Sequence, residues 1–304
     1  MRNFIVFFSG KEGTSPLVRL LDRFENVDVV HQVGNHGWEP FDFHTCGAMS
    51  LASLEACLDH VYGTGPIAMD ALNAIYQRTA TRALHPFRRE KAVGFKMRFQ
   101  PPSPGPSRQR ESTASPRLAA SSGDHGRFPK LMVDVLQRHD VTVFLAVRQD
   151  LLRWALSHYH GDGTGKPGHL QFQLAKGEVR RDDLRPIEVD CERLGRLIQK
   201  CRVIHAAYRA LRRTLEQAGL RVHALYYERF LEDRHAYFRE IGEVLELGWT
   251  KAEIEMAFTA GTYLEKVHSD DLSSWIINHD EVRARFGAAY KDWCGPEDVP
   301  GATS

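Results

Sequence analysis

The sequence has little that would place it among membrane-spanning, disulfide-stabilised or polyanion-binding proteins. The apolar run at residues 4–8 is too short for a signal-peptide core or a membrane span, and no later stretch approaches transmembrane length. The five cysteines are an odd number without a Cys-x-x-Cys pair, which predicts reduced thiols rather than a disulfide framework. A net charge of +1 disfavours a dedicated binder of nucleic acid or of anionic membranes. We therefore expect a cytoplasmic globular protein without a nucleic-acid partner.

Metal ligands in a recognisable spacing are also missing. Among the 15 histidines, His158 and His160 stand two residues apart, and side chains at that spacing do not face together on a helix. No His-Glu-x-x-His motif occurs. The sequence therefore predicts no metal site.

Strand and helix patterns alternate along the chain. The apolar run 4–8 ends in Ser-Gly and is followed by a helical period from Pro16, which predicts a strand, a glycine loop and a helix. The alternation continues and predicts the α/β class: a central parallel sheet with helices on both faces. The length suits one domain over residues 1–304. Further strands are predicted at 27–30, 93–99, 141–147 and 221–227, and further helices at 51–63, 66–84, 130–138, 150–159, 190–217, 233–246 and 250–260.

The segment 100–127 has a different composition. It is rich in proline and serine and contains hardly any apolar residue, so it cannot contribute much to a packed core. We predict a flexible insertion or a lid here.

The segment 10–15, Gly-Lys-Glu-Gly-Thr-Ser, lies between the first predicted strand and helix. Backbone N–H groups at a helix N-terminus bind anions, and the hydroxyls of Thr14 and Ser15 add donors. Lys11 places a positive charge where charge develops on a transferring group. A strand-to-helix turn that uses glycine only for its geometry is the alternative, but open α/β sheets bind ligands at this place. A Walker A loop is excluded, because Lys11 precedes the Gly-Thr-Ser.

A second anion-binding pattern follows the predicted strand 141–147. Arg148 ends that strand, and Ser157 comes nine residues later in the predicted helix. A guanidinium donates to phosphate in a fork, and a serine hydroxyl adds a further donor. A strand-end arginine and a helix serine without a special role form the alternative interpretation.

Together the two patterns resemble the motifs of sulfotransferases that depend on 3′-phosphoadenosine-5′-phosphosulfate (PAPS). Residues 11–15 are similar to the family's 5′-phosphosulfate loop, Lys-x-Gly-Thr-Thr, with serine in the last place. Arg148 and Ser157 are similar to its 3′-phosphate motif. Many members separate this pair by eight residues, whereas the spacing of nine here is similar to that of bacterial trehalose-type members. The likeness covers residues 4–24, 141–159 and 190–247 and is weak over 40–130.

The resemblance implies a P-loop-NTPase-like fold and a transferase. Such an enzyme moves a sulfuryl group from PAPS to a hydroxyl or amine of a small-molecule or carbohydrate acceptor and releases PAP. Lys11 would also stabilise the leaving group, which makes it a catalytic candidate. The nucleotide-binding residues that the resemblance implies are Lys11, Glu12, Gly13, Thr14, Ser15, Arg148 and Ser157.

The base that takes the acceptor's proton has three candidates after the second predicted strand. Glu39, followed by Pro40, resembles the Glu-Pro of many bacterial sulfotransferases and is favoured. His31 and His36 are the others. A histidine has a suitable unperturbed pKa, whereas a glutamate needs its pKa raised by burial. Three solvated loop residues remain the alternative.

Other interpretations stay open. Lys96, on the predicted strand 93–99, is interpreted as a surface lysine, with contact to the sulfate or acceptor as the alternative. A P-loop-like kinase or NTPase shares the strand–loop–helix opening, but the strand 141–147 ends in an arginine and not in an aspartate that could bind magnesium. A catalytically silent PAP-binding protein is the third possibility. A homodimer is compatible with all of them.

Overall fold

The computed structural model describes residues 1–10, 12–33, 40, 51–63, 69–77, 83–88, 91–99, 130–163, 177, 180, 184–259 and 271–287. Two compact units divide the chain: Met1–Val147 with Ala206–Ala260, and Arg148–His205 with Gly261–Ser304. Each unit is described by itself below. The predicted insertion 100–127 lies outside the described residues, and a single domain over 1–304 stays a prediction.

The described residues form five strands, ten α-helices and one 3₁₀-helix. In chain order they are β1 Arg2–Phe8, α1 Thr14–Leu21, β2 Val27–Val29, α2 Leu51–Tyr62, α3 Met69–Tyr76, β3 Ala92–Arg98, α4 Lys130–Arg138, β4 Val141–Val147, α5 Leu151–Gly163, α6 Cys191–Gln217, β5 Val222–Tyr226, α7 Tyr227–Glu232, α8 Arg234–Val244, α9 Lys251–Thr259, the 3₁₀-helix Leu272–Ser274 and α10 His279–Phe286.

The first unit is built on a parallel sheet with the strand order β2-β3-β1-β4-β5. Strand β4 is buried along its whole length, and β1 is buried from its second residue onward. A strand whose alternating side chains are all buried is covered on both faces, and helices α1, α2 and α4 pack against the sheet. These observations confirm the predicted α/β class with a central parallel sheet flanked by helices.

Strand β1 lies in the middle of the sheet, and its carboxyl end is the natural position for a ligand. The register pairs Phe8 of β1 with Arg98 of β3, and Val147 of β4 with Tyr226 of β5, so these strand ends share one edge. The chain leaves β1 toward β2 on one side and later crosses to β4 on the other. Open α/β sheets bind ligands at such a switch point, outside the carboxyl ends of the strands.

The predicted strands agree with the structure to within two residues at each end. The predicted helix 66–84 was wrong at its C-terminal end, because Leu84 instead pairs antiparallel with Gln32. The side chain of Asn73 accepts a hydrogen bond from the backbone N–H of Leu84 at 2.8 Å. Pro86 further disfavours a helical conformation just before it. The short helix α7, the 3₁₀-helix and α10 were not predicted.

The second unit contains α5, the first part of α6, the 3₁₀-helix and α10. Asn278, at the start of α10, holds the chain before α6: its side chain accepts from the N–H of Val189 at 2.8 Å and donates to the Val189 carbonyl at 2.9 Å. Glu192, in the first turn of α6, forms an ion pair with Arg285 of α10. In the described part of the chain, no helix has the length and apolar character needed to cross a membrane.

Candidate functional site

The loop after β1 closes around Gly13, which is the N-cap of α1. Gly13 adopts the left-handed conformation with φ 75°, and a Cβ built there would lie 2.4 Å from ring atoms of Tyr227. Only glycine therefore fits between the loop and α7. This close approach fixes the N-terminus of α1 beyond the carboxyl end of β1, and helix N-termini of this kind carry backbone N–H groups that can bind an anion.

Lys96 corrects the sequence analysis, because it is not a surface lysine. Its exposed fraction is 1%, and its ammonium donates to the hydroxyl of Ser15 at 2.9 Å. Lys96 lies in β3, next to the central strand, where both faces of the sheet are covered. The strand therefore carries a positive charge into the first turn of α1. Ser15, which accepts from Lys96, keeps its own hydroxyl proton to donate.

A second cation lies on the same face of β3. Arg98 follows two residues after Lys96, and both side chains lie over the ring of Phe8. The Lys96 ammonium is 4.7 Å from the ring centroid, and the Arg98 guanidinium carbon is 5.3 Å from it. Residues two apart on a strand share a face. The carboxyl ends of β1 and β3 thus present two positive groups around one aromatic ring.

Glu12 points into the protein. It is 4% exposed, and its carboxylate accepts hydrogen bonds from the N–H of Ser9 at 3.0 Å, the Ser9 hydroxyl at 2.6 Å and the N–H of Gly10 at 2.5 Å. Burial raises the pKa of this carboxyl to about 7, although the hydrogen bonds from Ser9 and Gly10 oppose the shift. Its side chain therefore holds the first half of the loop together. Thr14 is also buried, and Lys11 lies outside the described residues.

In the second unit, the structure brings Arg148 and Ser157 together. The guanidinium of Arg148 donates to the Ser157 hydroxyl at 2.8 Å, and that hydroxyl donates to the carbonyl of Arg153 at 2.9 Å. The nine-residue spacing places the two side chains in contact because Asp150 starts α5 with a helix cap, accepting from the N–H of Arg153 at 2.8 Å. In this arrangement Ser157 orients the guanidinium of Arg148.

His205 supports Arg148 from α6, a role that sequence reasoning missed. The ring of His205 is 3% exposed and stacks on Trp154 at 5.0 Å between centroids. Its Nε2 lies 2.8 Å from the carbonyl oxygen of Arg148 and donates to it, since a carbonyl can only accept. His205 thus fixes the backbone at Arg148, and Ser157 orients the guanidinium of the same residue.

Of the three candidate bases, only His31 belongs to the described residues; Glu39 and His36 lie outside them. His31 follows the edge strand β2, stacks on His85 at 4.7 Å and donates from Nδ1 to the carbonyl of Val29 at 2.8 Å. Burial lowers the pKa of His31, partly offset by that hydrogen bond. The neutral ring then carries its lone pair on Nε2. Strand β3 separates β2 from β1, so their backbones are about 10 Å apart.

The donor groups described within each of the two units suit an anionic ligand. Among the described residues, no three or more His, Cys, Asp or Glu side chains are grouped to hold a metal. The loop instead offers the α1 N-terminus, the Ser15 hydroxyl and the ammonium of Lys96. Arg148 with Ser157 offers a guanidinium held in a fixed orientation. Phosphate and sulfate groups are the ligands that such donors bind.

No family model and no curated protein sequence matches the chain. Several solved structures are similar to it, among them the following two. The first is a sulfotransferase from Alicyclobacillus acidocaldarius, 16% identical with a TM-score of 0.42, covering 95% of this chain and 92% of that one. The second is a sulfotransferase from Mycobacterium avium, 14% identical with a TM-score of 0.36, covering 94% of this chain and 75% of that one. Both are sulfotransferases, the family that the two motifs resemble, and at these values the likeness adds no argument about the reaction.

Proposed function

We propose that this chain is a sulfotransferase that moves a sulfuryl group from PAPS to a hydroxyl or amine of a small-molecule or carbohydrate acceptor. The observation that carries the proposal is the buried ammonium of Lys96, which donates to Ser15 inside the loop that resembles the 5′-phosphosulfate motif. Burying a lysine charge costs several kcal/mol, so its presence beside an anion-binding loop supports a negatively charged ligand.

The loop residues have the properties that sulfuryl transfer requires. PAPS supplies the activated sulfuryl group, which is expected to transfer in line, by analogy with phosphoryl transfer. Negative charge then develops on the bridging oxygen as PAP leaves. Lys11 and Lys96 stabilise that charge, while the N–H groups and hydroxyls of Thr14 and Ser15 bind the 5′-phosphate. Preorganised donors of this kind need no rearrangement during the reaction.

Arg148 is proposed to bind the 3′-phosphate, with Ser157 beside it. The guanidinium can donate to two phosphate oxygens at once; Ser157 orients the guanidinium, and His205 fixes the backbone carbonyl of Arg148. Ser157 acts chiefly on the orientation of Arg148, because its own proton is given to the carbonyl of Arg153.

Arg148→Ala is expected to weaken the binding of PAP by at least about tenfold, which corresponds to about 1.4 kcal/mol. The physical reason is the loss of a charge-assisted, two-pronged contact to phosphate. Calorimetric titration of PAP into wild type and variant measures the effect. Arg212→Ala is the matched control, since Arg212 is an arginine of α6 that pairs with Glu216 one turn along that helix and is not proposed to contact the nucleotide. An absence of PAP binding together with binding of ATP–magnesium would instead favour a kinase or NTPase.

The base is proposed to be Glu39 or His31, and their glutamine variants distinguish them. The variant that removes the base is expected to lower kcat/KM by about 10²- to 10⁴-fold, while the other retains most activity. If His31 is the base, activity requires the neutral ring. The wild-type kcat/KM for the acceptor, measured at saturating PAPS, then rises with pH through a pKa below the ordinary histidine value and is level above pH 6.5. A kcat/KM that stays level as the pH falls below 6.5, or full activity of His31→Gln, would exclude His31 as the base.

The acceptor is found by incubating the chain with sulfur-labelled PAPS and a panel of carbohydrates, phenols and amines. Transfer of label to one class identifies it. No transfer to any acceptor, with PAP still bound, is the result expected of a catalytically silent PAP-binding protein. The cytoplasmic location and the homodimer stay predictions.

A further inference from the structure

Glu12 is an acidic side chain placed inside an anion-binding loop. Its two carboxylate oxygens occupy the N–H groups of Ser9 and Gly10 and the Ser9 hydroxyl. Glu12 directly precedes Gly13, the N-cap of α1, and two residues cover at most about 7 Å of backbone. The carboxylate holds the N–H groups of Ser9 and Gly10, so an anion bound by the same loop at the N-terminus of α1 lies only a few residues of backbone from it. The site combines donors for a negative ligand with a buried group that repels it.

The charged and titratable groups around Glu12 come from three other elements. Tyr208 of α6 approaches it, and burial together with the charge of Glu12 raises the pKa of that phenol far above its usual value. Arg98 of β3 lies near Tyr208 and weakens this shift. Lys96 of β3 donates to Ser15, and Tyr227 of α7 packs on Gly13. Among the described residues no basic side chain forms an ion pair with Glu12; its sequence neighbour Lys11 lies outside them.

Burial leaves the carboxyl of Glu12 with a pKa of about 7, so near neutral pH it is divided between its charged and neutral forms. A second negative charge close by favours the neutral form of a carboxyl, because two like charges in a low-dielectric site repel each other. The 5′ end of PAP or PAPS brings such a charge. Ligand binding and protonation of Glu12 therefore favour each other.

We propose that binding of the nucleotide's 5′ anion to this loop is coupled to the uptake of a proton by Glu12. The inference rests on the proposed function, since it takes the ligand of the loop to be PAP or PAPS. The proton uptake has a consequence that the resemblance to the sulfotransferase loop does not predict: nucleotide affinity falls as the pH rises above neutrality. The wild-type Kd for PAP increases by up to about tenfold per pH unit above pH 7, until Glu12 also ionises in the complex.

The proton is counted by titrating PAP into the full chain at pH 8 in PIPES, HEPES and Tris, whose ionisation enthalpies differ. At this pH the phosphates of PAP are fully ionised, since their second pKa is about 6. The slope of the observed enthalpy against the buffer's ionisation enthalpy gives the protons taken up. Wild type is expected to take up between about half and one proton more than Glu12→Gln.

Asp22→Asn is the matched control for this experiment. Asp22 is a half-buried carboxyl at the other end of α1, and burial raises its pKa to about 6. Because it lies away from the loop, its variant is expected to take up as many protons as wild type. Equal uptake by wild type and Glu12→Gln would overturn the inference and leave the proposed function standing. No PAP binding by wild type would overturn the proposed function and the inference with it.

A second measurement covers the case in which Glu12→Gln fails to fold or to bind PAP. The infrared difference spectrum of wild type with and without PAP at pH 8 is expected to gain the C=O band of a protonated carboxyl, shifted in D₂O. The same band is expected for Asp22→Asn. A spectrum without this band, at a PAP concentration that saturates the site, would show that no carboxyl is protonated on binding and would overturn the inference.

Discussion

Lys96→Met is expected to lower kcat for sulfuryl transfer by about 10²- to 10³-fold. Methionine is unbranched and of similar length, so it fills the site where the lysine is 1% exposed and removes only the ammonium. The fold is expected to persist, because the variant no longer buries a charge. The loss is expected mainly in kcat, since in the proposed reaction the ammonium acts on the charge that develops as PAP leaves, and a smaller loss in PAP affinity is expected with it. Steady-state kinetics with PAPS and thermal unfolding measure the two effects.

Lys200→Met is the matched control, since Lys200 is an exposed lysine of α6 and its replacement is expected to leave kcat unchanged. Lys11→Ala is expected to reduce transfer to a similar degree as Lys96→Met, because in the proposed reaction both positive charges stabilise the same leaving group. A kcat for Lys96→Met equal to that of wild type would show that the buried ammonium only supports Ser15. It would also remove the observation on which the proposed function rests.

Lys96 also shows where sequence reasoning reached its limit. The run around it predicted a strand correctly, and a charged residue in a strand is usually placed at the surface. What the sequence does not carry is the order β2-β3-β1-β4-β5, which puts β3 between two neighbours under helices on both faces. All residues of β3 but the last are buried, so a lysine within it needs a partner or a ligand. A lysine in an inner strand was therefore the signal that could have identified Lys96, and it required knowing that β3 is an inner strand.

The candidate site likewise contains some residues that the sequence alone suggests and others that only the fold reveals. Residues 10–15 and the pair Arg148 and Ser157 could be proposed from the sequence, because backbone donors, a guanidinium and a hydroxyl stand at fixed distances along the chain. The supporting residues His205 and Tyr227 could not, since they come from α6 and α7, far away in the sequence. Their roles follow from packing: the ring of Tyr227 lies against Gly13, and the imidazole of His205 hydrogen-bonds to the Arg148 carbonyl.

Gly13→Ala is expected to lower the free energy of unfolding by about 2–4 kcal/mol and to abolish measurable PAP binding. Two costs add at this position. A Cβ is disfavoured at φ 75°, and it would lie 2.4 Å from the ring of Tyr227. The loop must shift to relieve the contact, which moves the N–H groups of the first turn of α1 away from the anion. Chemical unfolding measures the first effect, and calorimetric titration with PAP measures the second.

Gly219→Ala separates the two costs, because Gly219 has a similar φ of 78° and a Cβ there would meet nothing within 4 Å. It is expected to lose only about 1 kcal/mol, from backbone strain, and to bind PAP as wild type does. Adding Tyr227→Ala to Gly13→Ala removes the ring and is expected to restore part of the stability and part of the PAP binding. A Gly13→Ala variant no less stable than Gly219→Ala, with PAP binding intact, would contradict the close packing of the loop on Tyr227. Recovery of PAP binding in the double variant would instead show that the position of this loop, set by the ring of Tyr227, controls the binding of PAP.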